Sequence, residues 1–98
     1  MINEISILYV EDEIDILEPI KEYLSLKFKT VYTAMNGEEG LKLYKEKQPD
    51  IVLTDITMPI MDGLSMAEHI RAINNDASII LMTALSDTKS FTNAINIG

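Results

Sequence analysis

Short apolar runs alternate along this chain with longer stretches of helical spacing. Residues 5–10, Ile-Ser-Ile-Leu-Tyr-Val, are mostly apolar and end abruptly in Glu11-Asp12-Glu13. Such runs suit strands buried on both faces, as in parallel sheets. From Glu13 to about Phe28 the apolar residues fall at Ile14, Leu17, Ile20, Leu24 and Phe28, which is helical spacing. Pro19 lies inside that pattern and removes one backbone donor, so a kink or a late helix start is expected there.

Residues 30–34, Thr-Val-Tyr-Thr-Ala, read as a second strand, rich in β-branched and aromatic side chains. Asn36 is placed to cap a helix over Gly37–Lys47, with Leu41 and Tyr44 inward and Lys42, Lys45, Glu46 and Lys47 solvated. Gln48-Pro49-Asp50 ends that helix and turns into Ile51-Val52-Leu53, which leads to Asp55. Beyond a loop holding Pro59 and Asp62-Gly63, residues 64–74 carry apolar positions at Leu64, Ala67, Ile70 and Ile73, a third helix. Residues 78–82, Ser-Ile-Ile-Leu-Met, form a fourth strand ending at Thr83. Ser86 or Asp87 can cap a last helix running to about Ile97, with Gly98 at its stop. Four strand-then-helix units predict right-handed crossovers and an α/β fold: a mainly parallel sheet with helices on both faces. Neither a repeat nor a linker interrupts residues 1–98, which read as one domain.

Composition narrows this picture. With 98 residues there is room for one small domain, and 47% hydrophobic residues permit a real core. A formal net charge of −8 argues against a nucleic-acid binder, which would present a basic face to phosphates. It suits divalent cations, or a partner with a basic patch. The absence of cysteine excludes disulfides and Cys-type zinc sites and is compatible with a reducing cytoplasm. The first residues lack a basic n-region, and no apolar run approaches the ~20 residues of a membrane span. A soluble, cytoplasmic domain without membrane contact is expected.

The candidate chemistry lies at the strand ends. Ending a buried strand on Asp55 is costly unless the carboxylate binds a cation, is hydrogen-bonded or reacts. In an open parallel α/β sheet, ligands bind outside the carboxyl ends of the strands. Here the first strand ends at Glu11-Asp12, the third at Asp55 and the fourth at Thr83. Three carboxylates brought together repel, so they stay partly protonated or hold a cation. Oxygen-only ligands favour a hard ion, Mg²⁺ or Mn²⁺. A cation so held can polarise a phosphoryl group, and a carboxylate beside it can act as nucleophile and form an acyl phosphate. Plainer readings stand beside these. Glu11-Asp12-Glu13 could be a solvated helix start, Asp55 a turn cap and Thr83 a β-former. Asp62-Gly63 reads as turn and cap, His69 as a surface histidine, and Met58 and Met61 as packing.

Glu11-Asp12 after strand one, D-I-T-M-P-I-M-D-G from Asp55 and M-T-A-L-S-D from Met82 together resemble the receiver domain of two-component response regulators. The resemblance covers the whole chain. It implies a flavodoxin-like sheet in strand order 2-1-3-4-5 and transfer of a phosphoryl group to Asp55 from a sensor histidine kinase or phosphotransfer protein. It implies that Asp12, Asp55 and the backbone carbonyl of Thr57 bind Mg²⁺, with Glu11 acting directly or through water. Thr83 would contact the phosphoryl group and couple it to the last helix. The domain would be a phosphoacceptor rather than an enzyme, with an effector domain expected beyond Gly98.

The same resemblance implies a fifth strand and helix, and a lysine after that strand which pairs with the phosphoryl oxygens. The sequence stops at Gly98 before these, and Lys89 is a poor substitute. Only four of five units and the order 2-1-3-4 are therefore expected, with slower phosphoryl transfer. Residues 78–82 would become an open apolar edge that invites self-association or segment exchange. Two other functions compete. One is a receiver-like interaction module that is not productively phosphorylated. The other is an aspartyl-phosphatase-type hydrolase, although Thr57 stands where such enzymes carry a second acid. A flavin site is disfavoured by the acidic turn after strand one.

Overall fold

The computed structural model describes the backbone of residues 2–82 and 94–96 and the side chains of residues 4–82. Its elements are β1 (Ile2–Val10), α1 (Ile14–Lys27), β2 (Phe28–Ala34), α2 (Gly37–Lys47), β3 (Ile51–Asp55), α3 (Gly63–Ile73), β4 (Ser78–Met82) and β5 (Ala94–Asn96). They build one sheet in the order β2-β1-β3-β4-β5. The first four strands are parallel to one another, as the alternation of strands and helices requires. The chain leaves β1 toward β2 on one side and reaches β3 on the other. The strand order therefore reverses between β1 and β3.

Alternation along β1 splits the core between the two sheet faces. Leu8 and Val10 pack with Val52, Ile79 and Leu81 and with Tyr44 of α2 and Met66, Ala67 and Ile70 of α3. Ile7 and Tyr9 pack on the opposite face with Leu17 and Leu24 of α1. Met66 and Ile70 are wholly enclosed, and burying each such side chain contributes about 1.5–3 kcal/mol.

The helix ends follow local chemistry. Asn36 accepts a hydrogen bond from the Glu39 amide at 2.8 Å, and the Glu39 carboxylate accepts one from the Met35 amide at 2.7 Å. Each side chain thus satisfies an amide at the start of α2 that the helix leaves unpaired. Asp62 caps α3 by accepting from the Ser65 amide at 2.8 Å. Asp50 ties the start of β3 to β1, accepting from the Ser6 amide at 2.9 Å.

Several expectations are corrected. Helix α1 begins at Ile14 and runs through Pro19, so there is no late start and the Asp15 carbonyl loses its i+4 donor. Ile14, Leu64 and Ile73, placed inward by spacing, are exposed, and Met66 takes an inward position on α3 instead. The largest correction is at β5. Ala94–Asn96 falls within the expected last helix but is a strand, antiparallel to β4, with Met82, Leu81 and Ile80 opposite Ala94, Ile95 and Asn96. The edge of β4 is therefore paired over those three residues, not open along its length. The capping expectations at Ser86 and Asp87 lie outside the described residues.

Candidate metal and phosphoacceptor site

Two neighbouring strands carry the site. Val10 of β1 stands opposite Thr54 of β3, so the next residues, Glu11 and Asp55, emerge side by side at the carboxyl edge, one strand spacing of about 4.8 Å apart. Backbone bonds hold both exits. The Glu11 amide donates to the Ala34 carbonyl at 3.0 Å, and the Ile56 amide donates to the Met82 carbonyl at 3.1 Å. Each extends its parallel ladder one residue beyond the strand.

The structure brings Glu11, Asp12 and Asp55 together. One carboxylate oxygen from each lies within 4.8 Å of the others, with Glu11 buried and Asp12 and Asp55 half-buried. Burial pushes the Glu11 carboxyl up from its ordinary value; the Glu13 amide, donating to it at 3.2 Å, partly offsets this, and the charges of Asp55, Asp12 and Glu13 raise it again. The Asp55 carboxylate accepts from the Ile56 amide at 2.9 Å. Three carboxylates this close repel one another, and a divalent cation would relieve the repulsion. The donor set is all oxygen, as Mg²⁺ requires.

The loop after Asp55 is tightly bound. Thr57 lies two residues beyond Asp55 with its side chain exposed, and Met58 returns to the core. Met61 donates its amide to the Pro59 carbonyl at 2.7 Å across Ile60, whose φ of 69° lies in the left-handed region that β-branched residues rarely adopt. The Met61 carbonyl then accepts from the Gly37 amide at 2.8 Å, and Gly63 donates to the Ile56 carbonyl at 2.8 Å. Strain gathered in the loop that follows Asp55 fits a working site.

Other predicted residues fall as follows. His69 is exposed on α3, its Nδ1 2.8 Å from the Ser65 carbonyl, and the structure leaves it away from the acidic cluster as a surface residue. Met61 is half-buried against the core. Thr83 and Lys89 lie outside the described residues. Tyr9 is a residue that reading the sequence missed: its ring belongs to the core, but the charges of Glu11 and Asp55 act on its hydroxyl. The available signal was a phenol oxygen in an otherwise largely aliphatic run.

Residues 7–98 match the response regulator receiver domain family. The chain belongs to that family. Among relatives, this receiver domain is 37% identical over 92 residues to a probable transcriptional regulator, ycf27, of Guillardia theta, covering 94% of this chain and 36% of that protein. It thus spans about a third of that regulator's length. Among solved structures it resembles the response regulator protein TrrA of Thermotoga maritima in complex with Mg(2+)-BeF, at 44% identity and a TM-score of 0.76, covering 87% of this chain and 74% of the other. A structure of TrrA with the histidine kinase ThkA gives 44% identity and a TM-score of 0.74, with 88% and 74% covered. The flavodoxin-like fold expected of a receiver domain is the one observed, with parallel strands in the order 2-1-3-4.

Proposed function

We propose that Asp55 is the phosphoacceptor of this receiver domain and that Glu11, Asp12 and Asp55 hold Mg²⁺ beside it, with the Thr57 backbone carbonyl as a further ligand. The convergence of three carboxylates within 4.8 Å at one sheet edge carries this reading. Bound Mg²⁺ would neutralise the phosphoryl oxygens; Mn²⁺ belongs to the same ligand class. A carboxylate oxygen of Asp55 forms the new bond to phosphorus as the phosphorus–nitrogen bond of a phosphohistidine breaks, and the departing imidazole takes up a proton. Tethering by Ile56 leaves Asp55 oriented for that attack. Thr83 supplies the hydroxyl that meets the phosphoryl group.

The TrrA–ThkA pairing supports a sensor histidine kinase as phosphodonor, and the ycf27 relative supports an effector domain in the parent protein. The domain acts as a phosphoryl carrier rather than a turnover enzyme, and it works in the cytoplasm. No helix among the described residues is long and apolar enough to cross a membrane. Incubation with acetyl phosphate tests the reading by intact mass. One phosphoryl increment per chain is expected with Mg²⁺ and none with chelator; a chain that takes up no phosphoryl group with Mg²⁺ present removes the proposal.

Association between copies through β4 is part of the same proposal. Only three residues pair with its outer edge among the described residues, so two copies trading Ala94–Asn96 would keep every one of those pairs. Light scattering at high micromolar concentration should give a dimer mass. A monomer mass throughout would show that β5 closes its own edge.

A further inference from the structure

Tyr9 sits in β1 two residues before Glu11 and is fully enclosed. Its ring packs with Ile7, Leu17 and Leu24 on the α1 face of the sheet, a role that phenylalanine would fill equally well. The hydroxyl is what needs explaining. It is buried and makes no well-formed hydrogen bond, whereas buried polar atoms in folded proteins are nearly all paired. Two residues apart along one extended segment, Tyr9 and Glu11 project to the same face of the sheet, and the charges of Glu11 and Asp55 act on the hydroxyl. A phenol carries its proton at neutral pH and meets only carboxylates here, so it can only donate toward the cluster.

Glu11 has an acceptor site to offer. Its carboxylate takes one bond from the Glu13 amide, at a long 3.2 Å, and a carboxylate can accept several more. We propose that Tyr9 is a positioning residue for the cation site, its phenol donating to the Glu11 carboxylate and holding it for the metal. This rests on the Mg²⁺ reading given above. A carboxylate held by a hydrogen bond keeps its oxygens in one orientation, and a bond to a charged acceptor is stronger than one to a neutral acceptor. Burying a phenol oxygen is costly by itself, and a charged Glu11 beside it is the acceptor that offsets the cost. A phenylalanine would avoid that cost and lose the bond.

The test compares the unsubstituted protein with Tyr9→Phe, using Mg²⁺ alone as the probe. Calorimetric titration gives affinity, urea unfolding without metal gives stability, and near-ultraviolet difference absorbance reports the environment of the phenol. Tyr9→Phe should bind Mg²⁺ about tenfold more weakly, the worth of one charge-assisted bond. Its metal-free unfolding midpoint should be equal or higher, and the tyrosine difference signal on adding Mg²⁺ should vanish. Tyr32→Phe should keep that signal. A purely structural Tyr9 predicts the opposite split, with unchanged affinity and a lower midpoint, and that result would overturn the assignment. Failure of the unsubstituted protein to bind millimolar Mg²⁺ would overturn the metal reading and the Tyr9 role with it. Equal affinities in the two proteins would overturn the Tyr9 role alone.

Discussion

Asp55→Asn will take up no phosphoryl group from acetyl phosphate, and its metal-free form will be more stable than the unsubstituted protein. The amide keeps the shape of the side chain and can still accept from the Ile56 amide, a bond of 2.9 Å in the carboxylate. What it loses is the nucleophilic oxygen and one of three negative charges within 4.8 Å of one another. Two charges at that separation repel by several kcal/mol at a low effective dielectric and by under 1 kcal/mol in water. Screening at the half-buried Asp12 and Asp55 leaves a gain of about 1–2 kcal/mol. For a domain of this size that is a rise of roughly 5–15 °C in Tm.

The pH dependence has a definite sign. Glu11 titrates higher in the folded protein than its ordinary 4.5, through burial first and then the neighbouring carboxylates. Between 4.5 and that raised value the folded chain binds more protons than the unfolded one, so stability falls as pH rises through the window. Asp55→Asn removes one cause of the raised value and should flatten this slope. Urea midpoints for both proteins from pH 4.5 to neutral measure it. Phosphoryl uptake by the variant would place the acceptor elsewhere, and a lower midpoint at neutral pH would show that the cluster is not repulsive.

Gly63→Ala will cost about 3 kcal/mol or more, a fall in Tm of over 12 °C. A Cβ at Gly63 would collide with the Asp55 carbonyl oxygen and press on the Ile56 backbone. Neither can move aside cheaply. Ile56 is held to Met82 by its amide and to Gly63 by its carbonyl, and the Thr54 hydroxyl donates to the Asp55 carbonyl at 2.9 Å. Relief of the clash would therefore shift the end of β3 and the Asp55 carboxylate together, lowering phosphoryl uptake as well as stability. Leu64→Ala, at an exposed neighbour, should change the midpoint by less than about 1 kcal/mol. A Gly63→Ala protein of ordinary stability would mean that the loop yields where its hydrogen bonds say it is fixed.

Much of this was legible one residue at a time. Asn36 and Asp62 are short polar side chains just before helical spacing, and each caps the helix that follows because the capping bond reaches only three residues along the chain. Parallel β1, β3 and β4 were legible because short apolar runs separated by helical stretches leave few other arrangements. Inward faces were harder. Ile14, Leu64 and Ile73 fit a helical period, but a period leaves the phase open; the sheet against which α1 and α3 dock decides which side turns inward. Ala94–Asn96 lacked any local strand signal. Three residues carry too little pattern, and their conformation comes from the unpaired amides and carbonyls of the β4 edge.

Glu11, Asp12 and Asp55 show both sides of that division. Their identities, and their places just beyond apolar runs, are properties of the chain itself, because strand ends follow from local pattern and a carboxylate there needs a reason. That they form one cluster depends on β1 lying beside β3 in register with Val10 opposite Thr54, a long-range pairing no local stretch contains. The Tyr9 hydroxyl belongs wholly to this second kind. In the sequence it is one more member of an apolar strand; only the packing of that strand against its neighbours encloses the phenol oxygen beside the acidic cluster.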